Sequence, residues 1–152
     1  MRTLTTAFIA ITLTTLFFAS SALSATQNVK VSARVVGNCV FESVTDVNFG
    51  DLDPNSTTDA KAIPGELKFW CTKNASYTLE DPDAAIGSYA GQLSGSGTEK
   101  IPYTLTYDNV TGPGKGKSIP ITSTISATIV NADYIDVAAD TYTDTVTFTI
   151  TP

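Results

Sequence analysis

The amino-acid sequence predicts an all-β protein, a sandwich of antiparallel strands, on three observations. No stretch after residue 25 shows the 3.6-residue apolar periodicity of an amphipathic helix. Apolar residues alternate with polar ones instead, and threonine fills many of the polar positions, which suits an exposed sheet face. Glycine, proline, asparagine and aspartate interrupt the alternation at the intervals typical of a sandwich, so we expect about seven or eight strands in one domain.

The chain begins with a segment that we do not assign to the fold. Arg2 provides a positive charge, residues 7–19 are an apolar run, and the small residues of "SSALSA" follow. This order is typical of a secretory signal peptide, and the apolar run is too short for a confident membrane span. We predict a signal peptide over residues 1–25; cleavage could follow Ala22, Ser24 or Ala25, and we favour Ala25.

The first predicted strand covers Gln27 to Val36. Its apolar residues, Val29, Val31, Ala33 and Val35, recur at every second position and therefore share one face. A short strand is predicted in "DVNFG", ending at Gly50. The next, "GELKFWCT", places its apolar residues on one face, namely Leu67, Phe69 and Cys71.

Four further segments alternate in the same way. They are "SYTLE", "IPYTLTYD", "SIPITSTISATIV" and "DTVTFTIT". In the third, the inward positions run from Ile119 to Ile129, and in the fourth Val146, Phe148 and Ile150 face inward. "GSYAGQLSGSGTEK" is predicted to be a flexible connection containing at most a short edge strand. "TGPGKGK" is predicted to be a turn.

The charge balance restricts the class of partner. The formal net charge is −6, and it becomes −7 once Arg2 is removed with the leader. Scattered aspartates and few basic residues argue against binding to nucleic acid or to anionic membranes. We interpret the acidity as a contribution to solubility.

The two cysteines, Cys39 and Cys71, predict a disulfide, because an isolated pair in an exported chain is usually oxidised. Closing a loop of this length would stabilise the fold by roughly 3–4 kcal/mol.

Catalytic chemistry finds little support. The sequence contains no histidine, which removes the commonest general base, the Ser-His and Cys-His pairs, and most zinc sites. "TGPGKGKS" misses the first glycine of a phosphate-binding loop, and "DLDPN" lacks the later ligands of a calcium loop. We predict that the protein is not an enzyme and has no catalytic residue, metal or cofactor.

Trp70 is expected on the face opposite to its neighbours Phe69 and Cys71. It would either contact a partner subunit or lie under a loop.

The two ends of the chain raise a pairing question. The final predicted strand has no later strand to cover it, and the first is a surplus strand ahead of the first cysteine. An unpaired edge invites aggregation and is normally blocked. Either the first strand pairs with the last in one chain, or it fills the gap in a neighbouring chain by β-augmentation.

A resemblance favours the second arrangement. The alternating strand ahead of Cys39, "NFG", "FWCT", "YTLTYD" and the ending "TYTDTVTFTIT" resemble the spore coat protein U domain family, which includes the Csu-type pilins of archaic chaperone–usher pili. The chain departs from the family pattern at Asp140, where the family usually has glycine.

The resemblance implies an incomplete immunoglobulin-like β-sandwich of the pilin type, residues 37–152, preceded by a donor-strand extension, residues 26–36. It further implies a homopolymer assembled by donor-strand complementation with a periplasmic chaperone and an outer-membrane usher, exported to a surface pilus for adhesion or biofilm formation. The donor side chains would be Val29, Val31, Ala33 and Val35. The acceptor groove would include Val146, Phe148 and Ile150, and the disulfide would lie near the base of the first strand.

Two alternatives stay open. One is a secreted monomeric coat or surface protein whose own N-terminal strand closes its sheet. The other is a carbohydrate-binding module, for which Trp70 and Tyr89 would have to form an aromatic platform.

Overall fold

The computed structural model describes residues 23–152. The predicted signal peptide, residues 1–25, lies for the most part outside them. The chain divides into one unit that ends at Ala33 and a second unit from Arg34 to Pro152, and each is described by itself.

The second unit is an immunoglobulin-like β-sandwich. Over residues 23–152 the structure contains no α-helix, only a 3₁₀ turn at Asn131–Asp133. No helix in this range has the length and hydropathy that a membrane span requires. The strands are β1 (Cys39–Thr45), β2 (Ala60–Lys61), β3 (Gly65–Cys71), β4 (Ser76–Glu80), β5 (Ser88–Ser94), β6 (Lys100–Tyr107), β7 (Thr111–Pro113), β8 (Ile121–Ile129) and β9 (Thr149–Thr151).

Two antiparallel sheets form the sandwich. The larger has the order β1-β3-β8-β6-β5, with the short β2 also paired to β8. The smaller has the order β7-β4-β9. Their inner faces meet where Phe69 of β3 packs edge-to-face on Tyr77 of β4, with ring centroids 5.1 Å apart.

The core follows from the alternation in the sequence. Along β3, β6 and β8 nearly every second residue is buried, and the intervening positions are mostly threonine, lysine and glutamate. Burial of each large apolar side chain stabilises the fold by roughly 1.5–3 kcal/mol. The buried apolar residues are Leu67, Phe69, Cys71, Tyr77, Leu79, Ile101, Tyr103, Leu105, Tyr107, Ile121, Ile125, Ala127, Ile129 and Tyr134.

The predictions for the middle of the chain are largely confirmed. The strands in "GELKFWCT", "SYTLE", "IPYTLTYD" and "SIPITSTISATIV" are present. Ile119, however, lies before β8 and is exposed. The "GSYAGQLS" segment forms a full seven-residue edge strand, β5, and the start of the predicted "TGPGKGK" turn forms β7.

The beginning of the domain differs from the prediction. Residues 23–38 contain no strand, and the first strand is Cys39–Thr45, so Val35 and Val36 do not belong to it. The sequence pattern missed β1 because its pairing with β3 shifts register between Phe41 and Ser43, which breaks the alternation of apolar residues. The predicted strand in "DVNFG" is only a bridge between Asn48 and Ile63.

The last strand is also shorter than predicted, because β9 covers only three residues. Just before it, Thr143 is bridged to Ser94 at the end of β5, whereas β9 pairs with β4 of the other sheet. Residues 144–148 pass from one sheet to the other, so they form no continuous ladder.

Candidate binding groove

A long groove opens in the sandwich between β1 and the segment that precedes β9. Its volume is about 1120 Å³. One wall is residues 41–51, and the other is residues 140–146 together with Phe148. The floor consists of inward-facing side chains of the larger sheet, namely Leu67, Leu93, Tyr103, Leu105, Ile125 and Ala127. Apart from the half-buried Leu93, these side chains are at most 7% exposed, so the groove has an apolar floor that is continuous with the hydrophobic core.

The β1 wall is an exposed edge strand. Among residues 34–152, β1 pairs only with β3, so the backbone groups along its other edge have no strand partner. Its apolar side chains are also uncovered: Val40, Phe41 and Val44 expose 40%, 39% and 67% of their surface. The unpaired donors and acceptors of an edge strand are a template for another strand, and no strand of residues 34–152 covers this edge.

The opposite wall is formed by the final segment. Val146 and Phe148 are half-buried and line the groove, and the Phe148 ring packs edge-to-face on Tyr107 at 5.0 Å. Ile150, predicted with them, instead sits in β9 opposite Leu79 and does not line the groove. The structure thus brings two of the three predicted acceptor residues to the groove.

A tyrosine in the floor ties this wall to the larger sheet. The Tyr103 hydroxyl donates a 2.7 Å hydrogen bond to Asp144 Oδ2. Burial, with the hydrogen bond and the charge of Asp144 adding to it, raises the pKa of Tyr103. The Tyr103 ring lies across Gly91 of β5, where an added Cβ would overlap the ring atoms. Gly91 therefore makes room for the tyrosine that reaches the wall.

The far end of the same wall is fixed to the loop between β5 and β6. Asp140 Oδ2 accepts hydrogen bonds from the backbone N–H and the hydroxyl of Ser96, at 2.6 and 2.7 Å. These bonds lower the pKa of Asp140, and the bond from the Ser96 hydroxyl contributes most. Gly95 permits the approach, since a Cβ there would lie 2.6 Å from Asp140 Oδ2. Asp140 stands where the resemblance leads us to expect glycine, and in this structure its carboxylate fixes the wall to the loop between β5 and β6.

The disulfide between Cys39 and Cys71 is confirmed. The two residues face each other across the β1–β3 ladder, at the end where β1 begins. The bond attaches the start of the groove wall to β3, whose Cys71 is fully buried.

The predicted donor residues are all exposed. Val29, Val31 and Val35 expose 86%, 91% and 84% of their surface, and Ala33 is exposed as well. Exposed valines at every second position are apolar surface that a sheet pairing could bury.

Trp70 and Tyr89 do not form a common platform. Trp70 lies on the outer face of β3, half-buried, with Lys117 Nζ 5.9 Å from its ring centroid. Tyr89 is on β5 and packs on the core beside Tyr103, with ring centroids 6.3 Å apart. Trp70 therefore lies on the outer face of the sheet and Tyr89 on the inner face. In addition, two strands separate β3 from β5.

The groove has the composition of a site that binds an apolar strand. Its floor is aliphatic and aromatic, and its β1 wall offers unpaired backbone donors and acceptors. Within residues 23–152 no group of three or more histidine, cysteine, aspartate or glutamate side chains could hold a metal ion. Sequence inspection missed the wall at residues 41–51 because only one edge of β1 is paired and its side chains follow no simple period.

Comparison with models of protein families identifies a domain that covers most of the chain. The model of the Spore Coat Protein U domain matches residues 25–149. Neither the search of curated proteins nor the search of solved structures found a match.

Proposed function

The chain belongs to the Spore Coat Protein U domain family, and we propose that it is a structural subunit of a chaperone–usher surface pilus. The family is associated with such subunits and implies an exported, surface-associated protein. In the proposed pilus, the N-terminal segment of each copy fills the groove of the next copy by donor-strand complementation. The polymer would serve adhesion or biofilm formation.

The observation that carries the proposal is the open groove beside the unpaired edge of β1. A strand inserted there can form a backbone ladder with β1 and direct every second side chain onto the apolar floor. The segment from Val29 to Val35 has this pattern, and as a strand it spans roughly 20 Å. Burying each of its valines would contribute roughly 1.5–3 kcal/mol.

The groove also gives a reason for the proposed partners. A subunit with an open groove leaves the apolar side chains and the outer edge of β1 exposed, and both promote aggregation. A periplasmic chaperone that lends a strand would protect the groove while the subunit folds. An outer-membrane usher would then exchange that strand for the N-terminal segment of the next subunit.

The test is to express the full chain in a periplasm with a matching chaperone and usher, and to compare unboiled and boiled samples by SDS gel electrophoresis. We expect a ladder of oligomers that collapses on boiling and is missing when residues 26–34 are deleted. A folded monomer from the full chain would overturn the pilus proposal and favour the monomeric coat or surface protein.

A matched pair of substitutions tests the face of the segment. Val31→Asn places an amide on the apolar floor, where an unpaired polar group costs roughly 1–3 kcal/mol in addition to the lost valine. Ser32→Asn makes a similar change on the opposite face. We expect Val31→Asn to weaken the ladder and Ser32→Asn to leave it intact, and equal effects would contradict the proposed orientation.

A further inference from the structure

The charges of this chain are segregated along its length. The first acidic residue is Glu42, so all 15 acidic residues follow the N-terminal segment. Residues 26–36 carry Lys30 and Arg34 and no acid. Residues 37–152 hold six basic and fifteen acidic residues, a formal charge of −9. A general need for solubility would be met by acids anywhere in the chain and does not explain this separation.

The groove shows the same separation in space. Five carboxylates line it, and no lysine or arginine does so among the described residues. Residues 41–51 contribute three of these carboxylates, and residues 140–148 contribute two. The five are Glu42, Asp46, Asp51, Asp140 and Asp144.

Two of these carboxylates accept hydrogen bonds, and none of their donors carries a positive charge. Asp144 accepts hydrogen bonds from the Tyr103 hydroxyl and the Thr145 N–H, and Asp140 accepts them from groups of Ser96 and Thr141; all of these donors are neutral. All five side chains belong to exposed residues, so they act on molecules that approach the groove from solvent. The groove thus combines an apolar floor with a rim of one sign.

The positions of the two cations match this rim. In a strand, Lys30 and Arg34 project to the face opposite Val29, Val31, Ala33 and Val35. When the valines face the floor, both cations face away from it, toward the solvent side, to which the five carboxylates are also exposed. They avoid the apolar floor, where an unpaired charge would be costly.

We propose that the acidic rim of the groove attracts the cationic N-terminal segment of a second copy of this chain and accelerates its entry. The inference rests on the proposed donor-strand function and adds to it an electrostatic selection of the partner. A segment with the same apolar pattern but no positive charge would enter more slowly. Steering of this kind raises association rates by about 10- to 1000-fold and weakens with ionic strength.

The experiment measures the association of a fluorescent peptide with the purified mature chain by stopped-flow anisotropy. The peptide comprises residues 26–36. It is compared with a K30Q/R34Q peptide, which has lost both charges, and a K30R/R34K peptide, which keeps them. Rates are measured at salt concentrations of about 0.01 M, where the Debye length is about 30 Å, and about 1 M, where it is about 3 Å.

We expect the natural and K30R/R34K peptides to bind about tenfold faster than K30Q/R34Q at low salt, with the difference vanishing at high salt. In the protein, Glu42→Gln should slow the natural peptide. Glu66→Gln should not, because Glu66 lies on β3 and does not line the groove. A V31N peptide reports whether binding uses the groove at all.

The two proposals fail in different ways. If all charged and neutral peptides bind at equal rates at low salt, while V31N binding is weakened, steering is refuted and donor-strand binding stands. If no peptide binds under any condition, or if V31N binds as well as the natural peptide, the donor-strand proposal itself is overturned.

Discussion

The contact between Gly91 and Tyr103 makes a sharp prediction about the groove floor. Gly91 is buried in β5, directly opposite Tyr103 in β6, and has an ordinary backbone conformation. Replacing it with alanine would put a methyl group where Cζ, Cε1 and Oη of the tyrosine now lie. Because Tyr103 is 7% exposed, the ring has little room to move within the core and must swing toward the open groove.

The magnitude has two parts. Overpacking a well-filled core costs roughly 1–3 kcal/mol. Loss of the Tyr103 hydrogen bond to the charged Asp144 costs roughly 1.5–3 kcal/mol. Gly91→Ala should therefore lower the free energy of unfolding by about 2.5–6 kcal/mol, a large share of the stability of an ordinary domain.

Urea unfolding, followed by far-UV circular dichroism, measures this change. For a slope of about 2 kcal/mol/M, the midpoint should fall by roughly 1–3 M. Gly97→Ala is the control, because a Cβ at Gly97 meets nothing within 4 Å. Tyr103→Phe loses only the hydrogen bond, so its effect and that of Gly91→Ala should not add in the double variant. A Gly91→Ala midpoint equal to that of Gly97→Ala would refute the reasoning.

Three further predictions concern the disulfide and the titratable groups. Replacing Cys39 and Cys71 with serine should lower the free energy of unfolding by roughly 3–4 kcal/mol, and added reductant should change the wild type alone. Burial is the first cause of the raised pKa of Tyr103, so the contribution of this residue to stability is complete below pH 10.0 and declines as the pH rises above that value. Alkaline denaturation should therefore begin near this pH, and Tyr103→Phe should make stability less dependent on alkaline pH. Hydrogen bonds, first that from the Ser96 hydroxyl, lower the pKa of Asp140, so its contribution to stability is complete above pH 3.8 and is lost as the pH falls through the lowered pKa. Asp140→Asn should therefore reduce the acid dependence of unfolding. An unchanged acid profile would argue against the Ser96 contact.

The strands that could be predicted are those with one face in the core. In β3, β6 and β8, Leu67, Leu105 and Ile125 alternate with polar residues because water is on the other side, and this period is visible in the sequence. The disulfide could also be predicted, since export and an isolated pair of cysteines suffice.

The groove walls could not be predicted in the same way. β1 combines a register shift with apolar residues that stay exposed, so Val40, Phe41 and Val44 give no period. The final segment changes sheets between Thr143 and Thr149, and its alternation suggested one long strand. The bond from Tyr103 to Asp144 depends on a long-range approach past Gly91, for which local sequence carries no signal.

The position of the disulfide determines how tension would pass through the domain. Cys39 is the first residue of β1, and Cys71 is the last residue of β3, an interior strand of the larger sheet. A pull on the chain ahead of Cys39 is transferred by a covalent bond to β3, so the β1 ladder is bypassed and cannot peel open from that end. In the fibre proposed above, the groove wall would therefore keep its shape under shear, and mechanical failure would require the proposed donor strand to slide out as a whole.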